Sequence, residues 1–367
     1  MVANADTPPP RRWFSSAWLK LALSVVLLTV LLAETNRSQL GGAVAHARVG
    51  WVIAALAGYI ASQVVSSARW MILARPLRFD EPFGHFFAAY FTGMYMNLFA
   101  PSTVAGDIGR ALLLAGGQKR KALAFTTVIA DRALGFIVLS WIGAFAILLQ
   151  PGYHLPRALY YAAWVVPPAT LFGWLYVPQL LVRLFAAENR WRRLVERELA
   201  AYWTDFRLLG QASAVACVFH TMQIGTQVLL AWALGLRIPL SFFVIFVPVV
   251  GIAGMLPISF SGIGVREAGY WFFLAQIGVN RATAVALGLL SSGVVLANGL
   301  AGGLVFLLWN PRQPPPDQPP GGRRSAGAVP ATGATTAPAA TTERRPPLSP
   351  SCFELELRPC RKLRTLR

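Results

Sequence analysis

The chain reads as an all-α polytopic membrane protein of about six full transmembrane helices plus two broken or re-entrant helical hairpins. Three observations carry that reading. Of 367 residues, 55% are hydrophobic and only 13% charged. That is about half the charged fraction of a soluble domain, and the apolar runs exceed the length of ordinary core helices. Two of these stretches are interrupted by related decapeptides, Pro101–Arg110 and Pro257–Arg266, both reading Pro-x4-Gly-x3-Arg. The basic residues also fall unevenly on alternate loops, as the positive-inside rule predicts for a multi-spanning chain.

Each element follows in order. Arg11-Arg12 precede the apolar run Trp18–Ala33. Ala43-Val44-Ala45 resembles a cleavage site, but it lies about ten residues past the run, further than cleavage usually tolerates, so the run reads as an uncleaved first span. The second span is Val49–Ala68, closed by Arg69-Trp70. Phe83–Gly117 follows and is broken at Pro101–Asp107. Ala122–Leu149 is roughly 42 Å long at 1.5 Å per residue, so it has to tilt or protrude. A turn at Pro151–Arg157 leads to Ala158–Tyr176, and Val177–Leu208 is polar and basic. Pro239–Ile277 is the second broken segment, between the spans Leu209–Leu234 and Ala282–Trp309. The organisation is then a cytoplasmic segment 1–17, a transmembrane domain 18–309 and a tail 310–367. The tail is rich in Pro, Ala, Thr and Arg, and such a composition cannot bury enough apolar surface to order itself. Truncation beyond Pro311 is expected to leave membrane insertion and expression unchanged; a large loss would reveal a packing role for the tail.

The net charge is +18. Nucleic-acid binding is one reading of such a charge, but its placement in short loops on one side favours topology, and no nucleic-acid partner is expected. With a cytoplasmic N-terminus and each broken segment returning to its own side, the inside loops hold Arg11 and Arg12, Arg69, Arg75 and Arg78, Lys119, Arg120 and Lys121, and six arginines from Arg183 to Arg207. The outside loops hold Arg37, Arg48, Arg157 and Arg237. N-terminus, Val177–Leu208 and tail then face the cytoplasm. The first hairpin opens from the cytoplasm and the second from outside, which would make them an inverted repeat of the kind alternating access uses. Three identities over ten positions leave common ancestry and independent origin both open. Cysteines placed at Arg190 and Arg157 are expected to label from opposite faces; labelling from one face would overturn the topology.

Both breaks have a mechanical basis. Pro101 and Pro257 lack an N–H and disfavour helix in the preceding residue, so each ends its helix. Gly106 and Gly262 permit close backbone approach or positive φ. A new half-helix is expected to begin near Asp107 and near Val265, with free N–H groups and the positive dipole end facing the break. Arg110 and Arg266, in the first turns, would add bidentate forks suited to phosphate. The competing reading makes both arginines structural, satisfying helix-end carbonyls or pairing with acids. Asp107, Asp131 and Glu267 are the acids at hand, and Asp131 and Arg132 need separate partners because adjacent helix residues do not face each other. Proton relay, recognition of a cationic headgroup and a charge-paired scaffold all fit them. Asn97, before the first break, suits bonding to loose backbone groups. Glu188–Arg207 carries Trp191, Val195, Leu199, Tyr202 and Phe206 at helical spacing among arginines, which suits a helix lying on anionic inner-leaflet lipid.

The three cysteines and four histidines show no disulfide or metal-ligand spacing, so no metal or cofactor is expected. Gly-x4-Gly-Lys-Ser/Thr occurs nowhere, which argues against direct ATP drive. No acidic cluster or nucleophile–base constellation points to an enzyme.

At these residues the chain resembles the lysylphosphatidylglycerol synthase transmembrane family, also called the flippase-like membrane family. The resemblance rests on Arg69-Trp70, Asn97 with Pro101-Ser102, Gly106-Asp107 with Arg110, Asp131-Arg132, and Pro257-Ile258-Ser259 with Gly262, Gly264 and Arg266-Glu267, across nearly all of 18–309. Ala105 stands where a second glycine is common, and Phe260-Ser261 where Pro or Gly often appears; neither departure removes a charge. The resemblance implies a bacterial or archaeal inner-membrane protein that handles a phospholipid or lipid-linked substrate. In some relatives this region moves an aminoacylated lipid and is followed by an aminoacyl-transferase domain. Only a short tail follows Trp309 here, so synthesis of lysyl lipid is not expected. Translocation of lipid or a lipid-linked precursor, headgroup modification, and service as a non-transporting partner of a lipid-modifying enzyme are the functions the resemblance leaves open. Ligand contact would fall to Arg110, Arg266, Asp107, Glu267, Asp131, Arg132, Asn97, Ser102, Gly106, Gly262 and Gly264.

Overall fold

A computed structural model of the chain describes residues 28–99, 104–116, 120–153, 155–184, 201–255 and 264–309, with residues 22, 25, 26, 199 and 262 besides. Ser102, most of Glu188–Arg207, part of Trp18–Ala33 and the tail 310–367 lie outside them. Among the described residues all regular structure is helical, and the chain is an all-α polytopic membrane protein.

The helix Arg37–Ala45 (α1) starts at Asn36, whose Oδ1 accepts from the amides of Ser38 and Gln39. Val49–Ala74 (α2) runs into a 3-10 turn at Arg75–Leu77. The first broken segment gives Phe83–Phe99 (α3) and Val104–Ala115 (α4). Lys121–Leu149 (α5) and Arg157–Leu184 (α6) follow, then Phe206–Ala233 (α7), capped by the carboxylate of Asp205. The second broken segment gives Leu240–Met255 (α8) and Val265–Ala275 (α9), and Arg281–Leu308 (α10) closes the domain. Among the described residues, α2 with its 3-10 turn, α5, α7 and α10 are long and apolar enough to cross a membrane.

Contacts between helix ends sort into two sets. At one end the Tyr202 hydroxyl donates to the Leu73 carbonyl, Arg120 donates to the carbonyls of Leu77 and Arg78, and the His85 ring meets Trp309 at 5.2 Å. At the other, the Arg48 amide donates to Ala233 at 2.9 Å, the hydroxyls of Tyr153 and Ser241 meet at 2.9 Å, and Arg281 pairs with Glu34 at 2.6 Å. The start of α3 therefore lies at the first end and the start of α8 at the second. Within each segment the two helices pack together. Their lengths nearly match, 17 and 12 residues in one, 16 and 11 in the other. At 1.5 Å per residue none exceeds about 26 Å, short of the ~30 Å hydrocarbon core. Two re-entrant hairpins of similar build thus enter from opposite ends.

Two expectations need correction. Arg69 is no loop charge: α2 continues past it to Ala74, and Arg69 is 4% exposed. A buried arginine is tolerable only against a buried acid, which Asp131 supplies from another helix. Arg281 belongs to the less basic end and adds to it, although Glu34 neutralises it.

The apolar core is divided. One cluster, around Phe242, Phe246, Leu274 and Ala231, fills the less basic end. The other, around Trp70, Leu77, Phe79, Phe86 and Ala124, fills the basic end. Charged and polar side chains occupy the level between them. Asp131 stands ten residues into α5, about 15 Å from its start and so near mid-membrane depth.

Candidate functional site

The first break stops where proline demands it. α3 ends at Phe99 and α4 resumes at Val104, three residues before the expected start at Asp107. The reason lies across the hairpin. Asn97 Oδ1 accepts from the Gly106 amide at 2.7 Å, so the side chain before the break caps the helix after it. At Gly106 a Cβ would lie 2.1 Å from the Gly93 carbonyl oxygen, so the two backbones touch with no room for a side chain. The second break works differently. Gly262 and Gly264 have φ of +81° and +86°, a region costly for other residues. Glu267 Oε2 accepts the Gly264 amide at 2.7 Å, which starts α9 at Val265 as expected.

These starts separate the two arginines. Arg266 is the second residue of α9 and lies in its first turn. Arg110 is the seventh residue of α4, a turn deeper than the motif offset implies. Its side chain, 3% exposed, donates from Nη1 to Asp131 Oδ2 at 3.1 Å and approaches Asp107 Oδ1 from Nη2 at 3.1 Å. Arg69 Nε donates to the other oxygen of Asp131 at 2.8 Å. Arg132 forks Asp107, with Nε 3.1 and 3.0 Å from the two oxygens and Nη2 3.0 Å from Oδ1. Asp131 and Arg132 thus take the separate partners their adjacency requires. The chain Arg69–Asp131–Arg110–Asp107–Arg132 ties α2, α4 and α5 together, and the Arg110 guanidinium also lies over the rings of Trp70 and Tyr90 at 5.1 and 5.0 Å.

Arg266 has no such commitment. Its guanidinium folds back over Gly262, is half-buried, and meets no carboxylate among the described residues. Neighbouring Glu267 is turned away and fully buried, holding the Gly264 amide and accepting from Ser292 Oγ at 2.6 Å.

Arg110, Arg132, Asp107 and Arg266 all line one cavity of about 290 Å³ between the hairpins. Gly106 and Asn97 also border it, while Gly262 and Gly264 are not in its lining and serve the backbone turn that leads into Arg266. Further polar residues reach it that hydropathy reading passes over, among them Gln63, Gln223, Gln227, Tyr270 and Ser291. Sequence carries a signal for them only in the form of amides inside otherwise apolar spans. Tyr270 donates to Gln227 Oε1 at 2.6 Å, Gln227 Nε2 donates to Ser291 at 3.2 Å, and Gln223 Nε2 donates to Ser62 at 2.9 Å. His220 also borders the cavity, with its Nε2 3.0 Å from the Gly135 carbonyl.

A half-open cavity with charged and neutral polar groups in its lining can hold a polar headgroup while apolar chains stay in lipid. A search of curated proteins finds no match to the chain. The family model described as the lysylphosphatidylglycerol synthase TM region matches residues 17–303. With broken hairpins and buried charges lying inside that match, the chain belongs to the lysylphosphatidylglycerol synthase transmembrane family, as a membrane protein related to lipid modification or translocation.

Proposed function

We propose that this protein moves a phosphate-bearing lipid or lipid-linked precursor between the leaflets of a bacterial cytoplasmic membrane, with Arg266 as the phosphate contact and no catalytic step of its own. One observation carries the proposal: Arg266 is a half-buried arginine at a helix N-terminus, facing a cavity, with no carboxylate against it among the described residues. A lone cation in hydrocarbon is costly, and an anionic ligand offsets that cost. A guanidinium fork favours phosphate. Oppositely inserted hairpins meeting at one cavity supply the two gates that alternating access needs. The basic end of the helices would face the cytoplasm, placing α3 and α4 as the inner gate and both chain termini inside. Arg110, with Asp107, Asp131 and Arg132, acts as scaffold for the site rather than as a first ligand.

The test is leaflet-resolved movement of fluorescent phospholipid in liposomes holding the full chain. Arg266→Gln is expected to slow movement about tenfold or more, the scale of one lost charge-assisted contact, with thermal stability close to wild type. Arg266→Lys keeps charge without the fork and is expected to fall between. Unchanged movement in Arg266→Gln would remove the phosphate role.

A further inference from the structure

We infer that the headgroup beyond the phosphate is a neutral, hydroxyl-rich group, such as glycerol, inositol or a sugar, and not an ammonium. This rests on the translocation reading above and narrows its substrate. Cationic headgroups need a carboxylate free of arginine, and among the described residues the cavity offers none: Asp107, the carboxylate in its lining, is held by Arg132 and Arg110. Asp131 receives Arg69 on one oxygen and Arg110 on the other. Asp107 receives Arg132 on both. Glu267 is fully buried, with one oxygen on the Gly264 amide and the other on Ser292. Four arginines stand against these three carboxylates, which leaves one positive charge in excess at low dielectric. Donors are in surplus too: Arg110 Nε is buried and has no hydrogen-bond partner among the described residues. An ammonium entering here would meet net positive charge, and the one carboxylate in the described lining, Asp107, is already paired with arginine.

The rest of the polar lining is neutral. Gln63, Gln223, Gln227, Tyr270 and Ser291 come from four helices and present amides and hydroxyls to one space. Such groups both donate and accept, and a vicinal polyol does the same, so each hydroxyl can enter the row without leaving a partner stranded. A site built of hydrogen-bonding groups discriminates against ligands that cannot pair with them. At about 290 Å³ the cavity is at the lower end of small-ligand pockets and suits a headgroup alone.

The experiment compares acyl-labelled phosphatidylglycerol, phosphatidylethanolamine and phosphatidic acid in the same liposomes with the full chain. Phosphatidylglycerol is expected to cross about tenfold faster than phosphatidylethanolamine. Gln223→Leu combined with Gln227→Leu should slow phosphatidylglycerol while leaving phosphatidic acid, which has no headgroup alcohol, near its wild-type rate. Thermal unfolding of the double variant checks that it is folded, and a folded variant with an unchanged phosphatidylglycerol rate overturns the assignment of the row. Equal crossing of phosphatidylglycerol and phosphatidylethanolamine overturns the headgroup assignment while leaving translocation intact. Crossing of none of the three, with no lipid raising the unfolding temperature of the wild type, rejects translocation and this inference with it.

Discussion

Asp131→Ala is expected to destabilise the protein by about 3–5 kcal/mol, the cost of stranding a buried charge by removing its partner. The figure applies because the groups are buried: the side chains of Asp131, Arg69 and Arg110 are 1%, 5% and 3% exposed. Removing the carboxylate leaves two guanidinium groups facing each other with nothing between them. Asp107 retains Arg110 only through an oxygen it already shares with Arg132. Because the network joins α2, α4 and α5, the loss should spread to the α3–α4 hairpin rather than stay local. Thermal unfolding of the purified protein measures it. Replacing the whole triad with apolar residues (Arg69→Met, Asp131→Leu, Arg110→Met) should recover much of the loss, since apolar packing of similar volume often equals a buried ion pair. Full stability in Asp131→Ala alone would show that the buried charges are not coupled.

Gly106→Ala is expected to cost about 1–3 kcal/mol, the range for forcing atoms into a filled space, although alanine is the better helix former. The added methyl would sit 2.1 Å from the Gly93 carbonyl oxygen and 2.6 Å from Asn97, and the obstacle is backbone that cannot swing aside. α3 and α4 must part, breaking the Asn97 cap and moving Arg110 away from Asp131. Gly84→Ala is the control, because Gly84 lies in α3 with nothing within 4 Å of the added methyl. Unfolding temperatures that match between the two variants would contradict the close packing.

The elements of this fold were readable because they depend on local chemistry. Proline lacks the N–H that a helix interior needs, and α3 and α8 end two residues before Pro101 and Pro257, although α8 carries Pro248 within it. Hydropathy likewise places α2, α5, α7 and α10, since only a helix satisfies its own backbone in lipid. Separate partners for Asp131 and Arg132 follow from helix geometry alone. Which partners they take does not, because ion pairs form between helices more than twenty residues apart in sequence and depend on how those helices pack. Arg69 shows this most clearly: at the end of an apolar run it looks like a loop charge, and packing against α5 makes it a buried one. The two motif arginines make the same point. Equal spacing from Pro and Gly predicts equal roles, yet Asn97 starts one half-helix three residues early while Glu267 starts the other where the sequence puts it. That shift of about a turn directs Arg110 into carboxylates while Arg266 stays at the cavity, and it arises from Asn97, which lies outside the repeated decapeptide and reaches across its hairpin to Gly106.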